Sequence, residues 1–416
     1  MVKTIGKYLY FVKFSFIIFL VLFCLGETIR FDLGNNFIIK PLDIIVFILV
    51  LIWMTLSFKS WKEIIFKDSL FLPIILFVSS AFIALAFNAN NFREQEILIG
   101  LSYLLRWVLF VFLYFIVKNF SSKFKTKILY MLFVVGLVIT FFGFLQYFLY
   151  SDLRNLYYLG WDEHMHRMFS VFLDPNFASA FFVLFLIFLL GIFLYFLKIR
   201  QIKYVFAIGL ILVFSLISIL LTYSRSGLIM LLFSIAIFSV LAKKFKFIFL
   251  IFIILFLYIL VLSKNINSEN TNLFRIASVA ARIDSAKVAI EIIKENLFLG
   301  VGFNTYRYAQ IKYGYKNPVS RIINHADAGT DNSFLFVLST TGVIGLLFYL
   351  NLLWNIFKKS YSNFKKHNET SIQKYISIIV IASIGGIIID SLFINSLFYS
   401  FIMIWTWILL GLMENN

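Results

Sequence analysis

The feature that most constrains this chain is a repeated one: apolar runs about 20 residues long, parted by short basic clusters. A run of that length crosses the hydrocarbon core of a bilayer as a helix, because a helix satisfies its own backbone N–H and C=O groups where no water can. Twelve such runs are readable, at roughly 8–26, 41–58, 69–88, 97–117, 127–150, 177–197, 203–222, 226–242, 246–262, 331–357, 372–391 and 393–411. They predict an all-α polytopic protein of about twelve transmembrane helices, with residues 1–416 forming one integral membrane domain. A soluble domain is about one quarter charged, whereas this chain is 14% charged and 62% hydrophobic. A β-barrel would need segments of about ten residues with alternating polarity, and none is present. The first run lacks a small-residue cleavage site and many others follow it, so it reads as a retained first helix rather than a signal peptide.

A formal charge of +17 invites a nucleic-acid reading. The placement of the charges argues against it, since they sit in short clusters between apolar runs, as the positive-inside rule expects. With the N-terminus cytoplasmic, the inner connections carry twenty Lys and Arg and the short outer loops carry six. Both termini are then expected inside, and the segment Ser263–Asp331 becomes a large extracytoplasmic loop. Between the inner ends of the helices the acids are only Glu63, Asp68 and Glu369, whereas the outer side mixes Asp162, Glu163, His164, His166, Arg167, Asp174 and Arg225. Chemical variety on one side favours an outward-facing site. Cys24, the single cysteine, lies inside the first run and offers neither a disulfide nor a cysteine metal site. No GxxxxGK[ST] phosphate loop occurs, and no inverted repeat of interrupted helices suggests a secondary transporter.

Four stretches carry chemistry. Thr222-Tyr223-Ser224-Arg225-Ser226-Gly227 places an arginine at the junction of two spans. It either snorkels to the interface or captures an anion, with bidentate guanidinium contacts and the amides of the following helix. The stretch from Arg282 to Gly302 repeats Ile283, Ala286, Ala289, Ile290 and Ile293 at helical spacing, an amphipathic helix led by Arg282 and ended by Gly300 and Gly302. His325-Ala326-Asp327-Ala328-Gly329-Thr330-Asp331-Asn332-Ser333 runs into Thr341-Gly342-Val343-Ile344-Gly345. Asp331 and Asn332 are placed to cap the next span, while His325 and the carboxylates are groups able to accept a hydroxyl proton. Arg167-Met168-Phe169-Ser170-Val171-Phe172-Leu173-Asp174-Pro175-Asn176 starts the sixth span with a helix-entry signal. The charged groups within the spans include Lys13, Asp43 and Arg106, and Arg106 is either a functional group or half of a structural ion pair.

Taken in order, these stretches resemble the O-antigen polymerase and O-antigen ligase superfamily of bacterial cell-envelope proteins. The resemblance implies a GT-C-like architecture and a glycosyltransferase of the cytoplasmic (inner) membrane, working on its outer face. Its donor would be a polyprenyl-diphosphate-linked saccharide, with no cofactor and no metal. By position Arg225 and Arg282 would hold the diphosphate, with His325 or Asp331 as the catalytic base or no single base at all. Arg167, Asn176, Asn332 and Arg321 would contact substrate. Ligase-type members have His-Asn where this chain has Asp331-Asn332, and the usual aromatic and Pro of the amphipathic helix are here Ala286 and Leu297. The Asp-Asn form looks more like a polymerase. Polymerisation of lipid-linked repeat units is therefore the leading expectation. Ligation of a finished glycan to a lipid A core or another acceptor is the first alternative, and a non-enzymatic flippase the second. The family also suggests a chain-length regulator and a flippase as partners, with membrane lipid around the bundle and no nucleic acid.

Overall fold

A computed structural model of the chain describes residues 2–34, 37–57, 61–262, 271–273, 275–316 and 325–414. It is all-α apart from one small hairpin, in which β1 (Phe31–Asp32) pairs antiparallel with β2 (Ile38–Ile39). The helices are α1 (Val2–Phe23), α2 (Pro41–Leu56), α3 (Trp61–Phe66), α4 (Phe71–Phe87), α5 (Glu94–Lys118), α6 (Ser122–Leu149), α7 (Pro175–Lys198) and α8 (Ile202–Leu221). There follow α9 (Arg225–Ala242), α10 (Lys246–Leu262), α11 (Ala277–Glu295), α12 (Tyr306–Lys312), α13 (Ser333–Lys366), α14 (Ile372–Asp390) and α15 (Ser400–Met413). Among the described residues seven helices are long and apolar enough to cross a membrane, and five shorter apolar helices stand at the other five expected positions.

Helix α7 is the centre of the bundle. Its Phe181, Phe182, Phe185 and Phe188 are fully or almost fully buried, and Trp405 of α15 packs edge-on against three of them. By contrast α10 turns Phe249, Phe252 and Phe256 outward, as a lipid-facing helix does. One expectation needs adjusting. The tight turn foreseen beside Asp390 is a longer connection, residues 391–399 with a short 3-10 turn at Ser396–Phe398, so the last span starts at Ser400 rather than near 393.

Charged groups gather at the two ends of the bundle. At one end the basic connections meet. Buried Asp68 accepts hydrogen bonds from Tyr114 Oη (2.7 Å), Lys118 and Lys359, and Lys359 also reaches Glu414. Lys125 donates to the Glu414 carbonyl at 2.7 Å. At the other end lie the loops that carry Arg167, Arg225, Arg282 and Asp331.

Candidate active site

Two of the motifs turn out to be halves of one joint. Helix α13 is broken at Gly342, whose φ of +66° and ψ of −172° leave the helical region. The break frees backbone groups on both sides of it, and the turn after α11 takes them up. Val301 N donates to Ser339 O at 2.9 Å, Gly302 N to Thr340 O at 3.0 Å, and Val343 N to Leu297 O at 2.9 Å. The fit admits no side chain. A Cβ on Gly342 would lie 2.1 Å from Phe298 O, and one on Gly300 would lie 2.5 Å from Thr340 C. Gly300 also has φ +67°, which only glycine adopts without strain. Asn88 completes the seam by donating to Gly300 O at 3.0 Å. The amphipathic helix that carries Arg282 is thereby bolted to the helix that Asp331 precedes.

A second joint positions Arg225. Arg167 is only 3% exposed, and its guanidinium is spent on protein: Nε donates to Thr222 O at 2.8 Å, and Nη2 to Tyr223 O and Asn176 Oδ1, both at 3.4 Å. It neutralises carbonyls at the end of α8, where a cation is favoured by the helix dipole. Asn176 Oδ1 in turn accepts from Ser224 Oγ at 3.0 Å, and Ser224 caps α9 through Gly227 N. Tyr223, between them, takes a left-handed φ of +51°. Arg225 then opens α9 and donates to Arg275 O (3.1 Å) and Ser278 Oγ, fastening the start of α11 to the bundle.

These joints frame two adjoining cavities. The first, about 340 Å³, is lined by aromatic rings including Tyr103, Trp161, Phe177, Tyr308 and Tyr399. Charged groups stand among them: Glu27, Arg30, Lys40, Arg106, Asp162, Asp174, Arg282, Arg307 and Asp331. The second, about 410 Å³, is lined by Arg225, Arg282, Asp331 and Asn332 together with Ile229, Val279, Ile283, Leu335 and Leu392. Arg282, Thr330 and Asp331 belong to both walls. Most of the other cations are occupied. Lys40 is paired with Glu27, and Arg106 with Asp43 at 2.9 Å and with Ile38 O at 2.6 Å. Arg282 makes no hydrogen bond or ion pair to any described residue.

Burial raises the pKa of Asp331, and Asp162 and Asp174 add to the effect while Arg282 opposes it. Burial also raises that of Asp174, against the amides of Phe177 and Asn176 and the charges of Arg167 and Arg282. A carboxylate above its ordinary range is a better proton acceptor near neutral pH. His164 is pushed the other way, down to about 3, first by burial and then by Arg167, so its imidazole is neutral.

Of the residues singled out from sequence, the structure brings Arg225, Arg282, Asp331, Asn332 and Asn176 to the cavity walls. Arg167 is not on either wall. It holds the turn beneath Arg225, so contact with substrate gives way to a positioning role. Asn332 caps α13, accepting from Phe334 N and Leu335 N at 2.8 and 3.0 Å, whereas Asp331 is not part of the cap. Arg282 lies in the second turn of α11 rather than at its start, because the helix begins at Ala277. Arg321 lies outside the described residues. His325 starts a 3-10 turn at His325–Ala328, and its side chain is likewise outside the described set. Sequence reasoning missed Glu27, Lys40 and Arg307 as cavity residues, since nothing in their local sequence ties the first outer loop or α12 to Arg282. Arg106 resolves into an ion pair that also faces the cavity.

Residues 210–350 match the family model described as O-antigen ligase. The matched segment runs from within α8 into α13 and contains Arg225, Arg282, the glycine joint and Asp331-Asn332. It supports the O-antigen ligase and polymerase superfamily, and with it a glycosyltransferase-like enzyme of surface-polysaccharide assembly embedded in a membrane. No curated protein matches the chain.

Proposed function

We propose that this chain is a membrane glycosyltransferase that joins lipid-linked oligosaccharide repeat units on the outer face of the cytoplasmic membrane. The observation that carries the reading is Arg282: a guanidinium with no hydrogen bond or ion pair among the described residues, on a wall shared by an aromatic cavity and an apolar one, with Asp331 on the same wall. The apolar cavity suits the donor. Its Ile229, Val279, Ile283 and Leu335 would face the first isoprene units, while Arg225 and Arg282 take the diphosphate. The aromatic cavity suits the acceptor saccharide, whose ring faces lie well on Trp and Tyr side chains.

The acceptor hydroxyl attacks the anomeric carbon of the donor's reducing-end sugar. The C–O bond to the diphosphate breaks, and polyprenyl diphosphate leaves with the electron pair. The hydroxyl proton passes to Asp331, whose raised pKa suits it as a base. Charge grows on the diphosphate during this step, so guanidiniums that bind it more tightly as it leaves lower the barrier.

The Asp-Asn pair at 331–332 favours polymerisation. The family description, O-antigen ligase, favours transfer to a different acceptor such as a lipid A core. Purified protein given lipid-linked oligosaccharide alone distinguishes them. A polymerase yields a ladder of lipid-linked products, and a ligase yields none until a second acceptor is added. A chain-length regulator and a flippase are the partners such a polymerase would work beside.

A further inference from the structure

The loop between α6 and α7 holds a cluster that glycosyl transfer does not use. Its backbone is pinned by an antiparallel pairing in which Leu153 N donates to His164 O and His166 N to Ser151 O, both at 2.8 Å. That pairing points His164 into the protein, where it is 8% exposed and its Nε2 is buried without a hydrogen-bond partner. An imidazole nitrogen desolvated in this way normally finds a donor or acceptor. What Nε2 faces instead is two carboxylates. Asp174 Oδ2 stands 4.0 Å away, too far for a hydrogen bond, and Asp162, His164 and Asp174 each bring one ligand atom within 4.8 Å of the others. Asp174 has an oxygen to spare, because Oδ1 alone caps α7, accepting from Asn176 N at 2.6 Å and Phe177 N at 3.2 Å.

We propose that Asp162, His164 and Asp174 form a divalent-cation site of the Zn²⁺ or Mn²⁺ class. Bond lengths of about 2.0–2.2 Å from a metal to imidazole nitrogen and carboxylate oxygen place two ligands of one ion roughly 3–4 Å apart. The separation of 4.0 Å between Nε2 and Oδ2 needs only a small closing movement. One nitrogen with two carboxylates selects a borderline transition ion over Ca²⁺ or Mg²⁺, which prefer all-oxygen sets. Three protein ligands leave coordination positions open, and Asp162 and Asp174 face the aromatic cavity, so water or a sugar hydroxyl would complete the shell there. The ion would tie the loop after α6 to the start of α7, the segment from which Asn176 supports the Arg225 turn.

The test is direct binding to full-length protein in detergent, with no saccharide present. Mn²⁺ titration followed by electron paramagnetic resonance should give one bound ion per chain, displaced by Zn²⁺, and His164→Ala and Asp162→Asn should each weaken it by at least about tenfold. Melting curves without metal confirm that both variants fold; His164→Gln replaces any that does not. Wild-type binding equal to that of a folded variant, or no saturable binding, overturns the assignment. Because no glycan is involved, this outcome is independent of the proposed transferase activity.

Discussion

The two ends of the bundle bury charge in opposite ways. At the lysine-rich end Asp68 is surrounded by Tyr114, Lys118 and Lys359, the backbone N–H of Leu70 also reaches it, and Lys359 continues to Glu414. Both carboxylate oxygens of Asp68 are answered by protein donors, and the cluster clamps α4, α5, α13 and the residues after α15. At the loop end, among the described residues, Arg282 makes no hydrogen bond or ion pair, His164 Nε2 makes no hydrogen bond, and Asp331 faces two cavities. Buried polar groups are ordinarily satisfied, and the exceptions mark places where something else is meant to bind. The Asp68 cluster is spent on holding helices together, and the loop end keeps groups that the proposed function gives to ligands.

The sharpest way to break that contrast is to remove the free guanidinium. Arg282→Ala should lower the rate of saccharide transfer by roughly 10²–10³, the usual cost of losing one group that stabilises developing charge, with melting temperature unchanged. A smaller loss is expected for Arg225→Lys, which keeps a charge in the cavity but loses the fork that also holds Arg275 O and Ser278. Here product-ladder assays should show slower but measurable transfer.

At the opposite end the signs reverse. Asp68→Asn leaves Lys118 and Lys359 facing a neutral amide and should destabilise the fold by about 3–5 kcal/mol, read as a fall in melting temperature, while folded molecules keep their activity. Burial acts to raise the Asp68 pKa, but Lys118, Lys359, the Leu70 amide and Tyr114 together hold it below the ordinary value. Its stabilisation is therefore full above the unfolded-state pKa and is lost as pH falls through the folded one, so acid should loosen this end. The smallest effect belongs to Asn332→Ala, which removes the cap of α13 and should cost about 1 kcal/mol with little change in transfer rate. A large activity loss there would move Asn332 from scaffold to substrate contact.

Most of the fold was legible because membrane spans announce themselves one at a time: length and polarity suffice, and neighbours matter little. The caps at Asp174 and Asn332 were legible for the same reason, since a cap reads only the next three residues. What could not be read was pairing across the chain. Gly302 and Gly342 look like two independent glycine turns until the break in α13 is seen to be filled by the backbone of 300–302. Arg167 carries the same charge as Arg225 and sits in an equally suggestive motif. Only its three carbonyl-type acceptors reveal that it supports the turn rather than lining the cavity. Glu27, Lys40 and Arg307 join the site from connections with no motif at all.

The central claim is that Arg282, shared by the two cavities, and Arg225 on the wall of the second grip a diphosphate. Titrating purified protein with a short-chain polyprenyl diphosphate tests it without any sugar. Saturable binding should be weakened by roughly tenfold or more in Arg282→Ala and in Arg225→Ala, and left at the wild-type level in Asp68→Asn, as expected for a charge-assisted contact worth about 1.5–3 kcal/mol. Binding of equal strength in the wild type and both arginine variants would contradict the account.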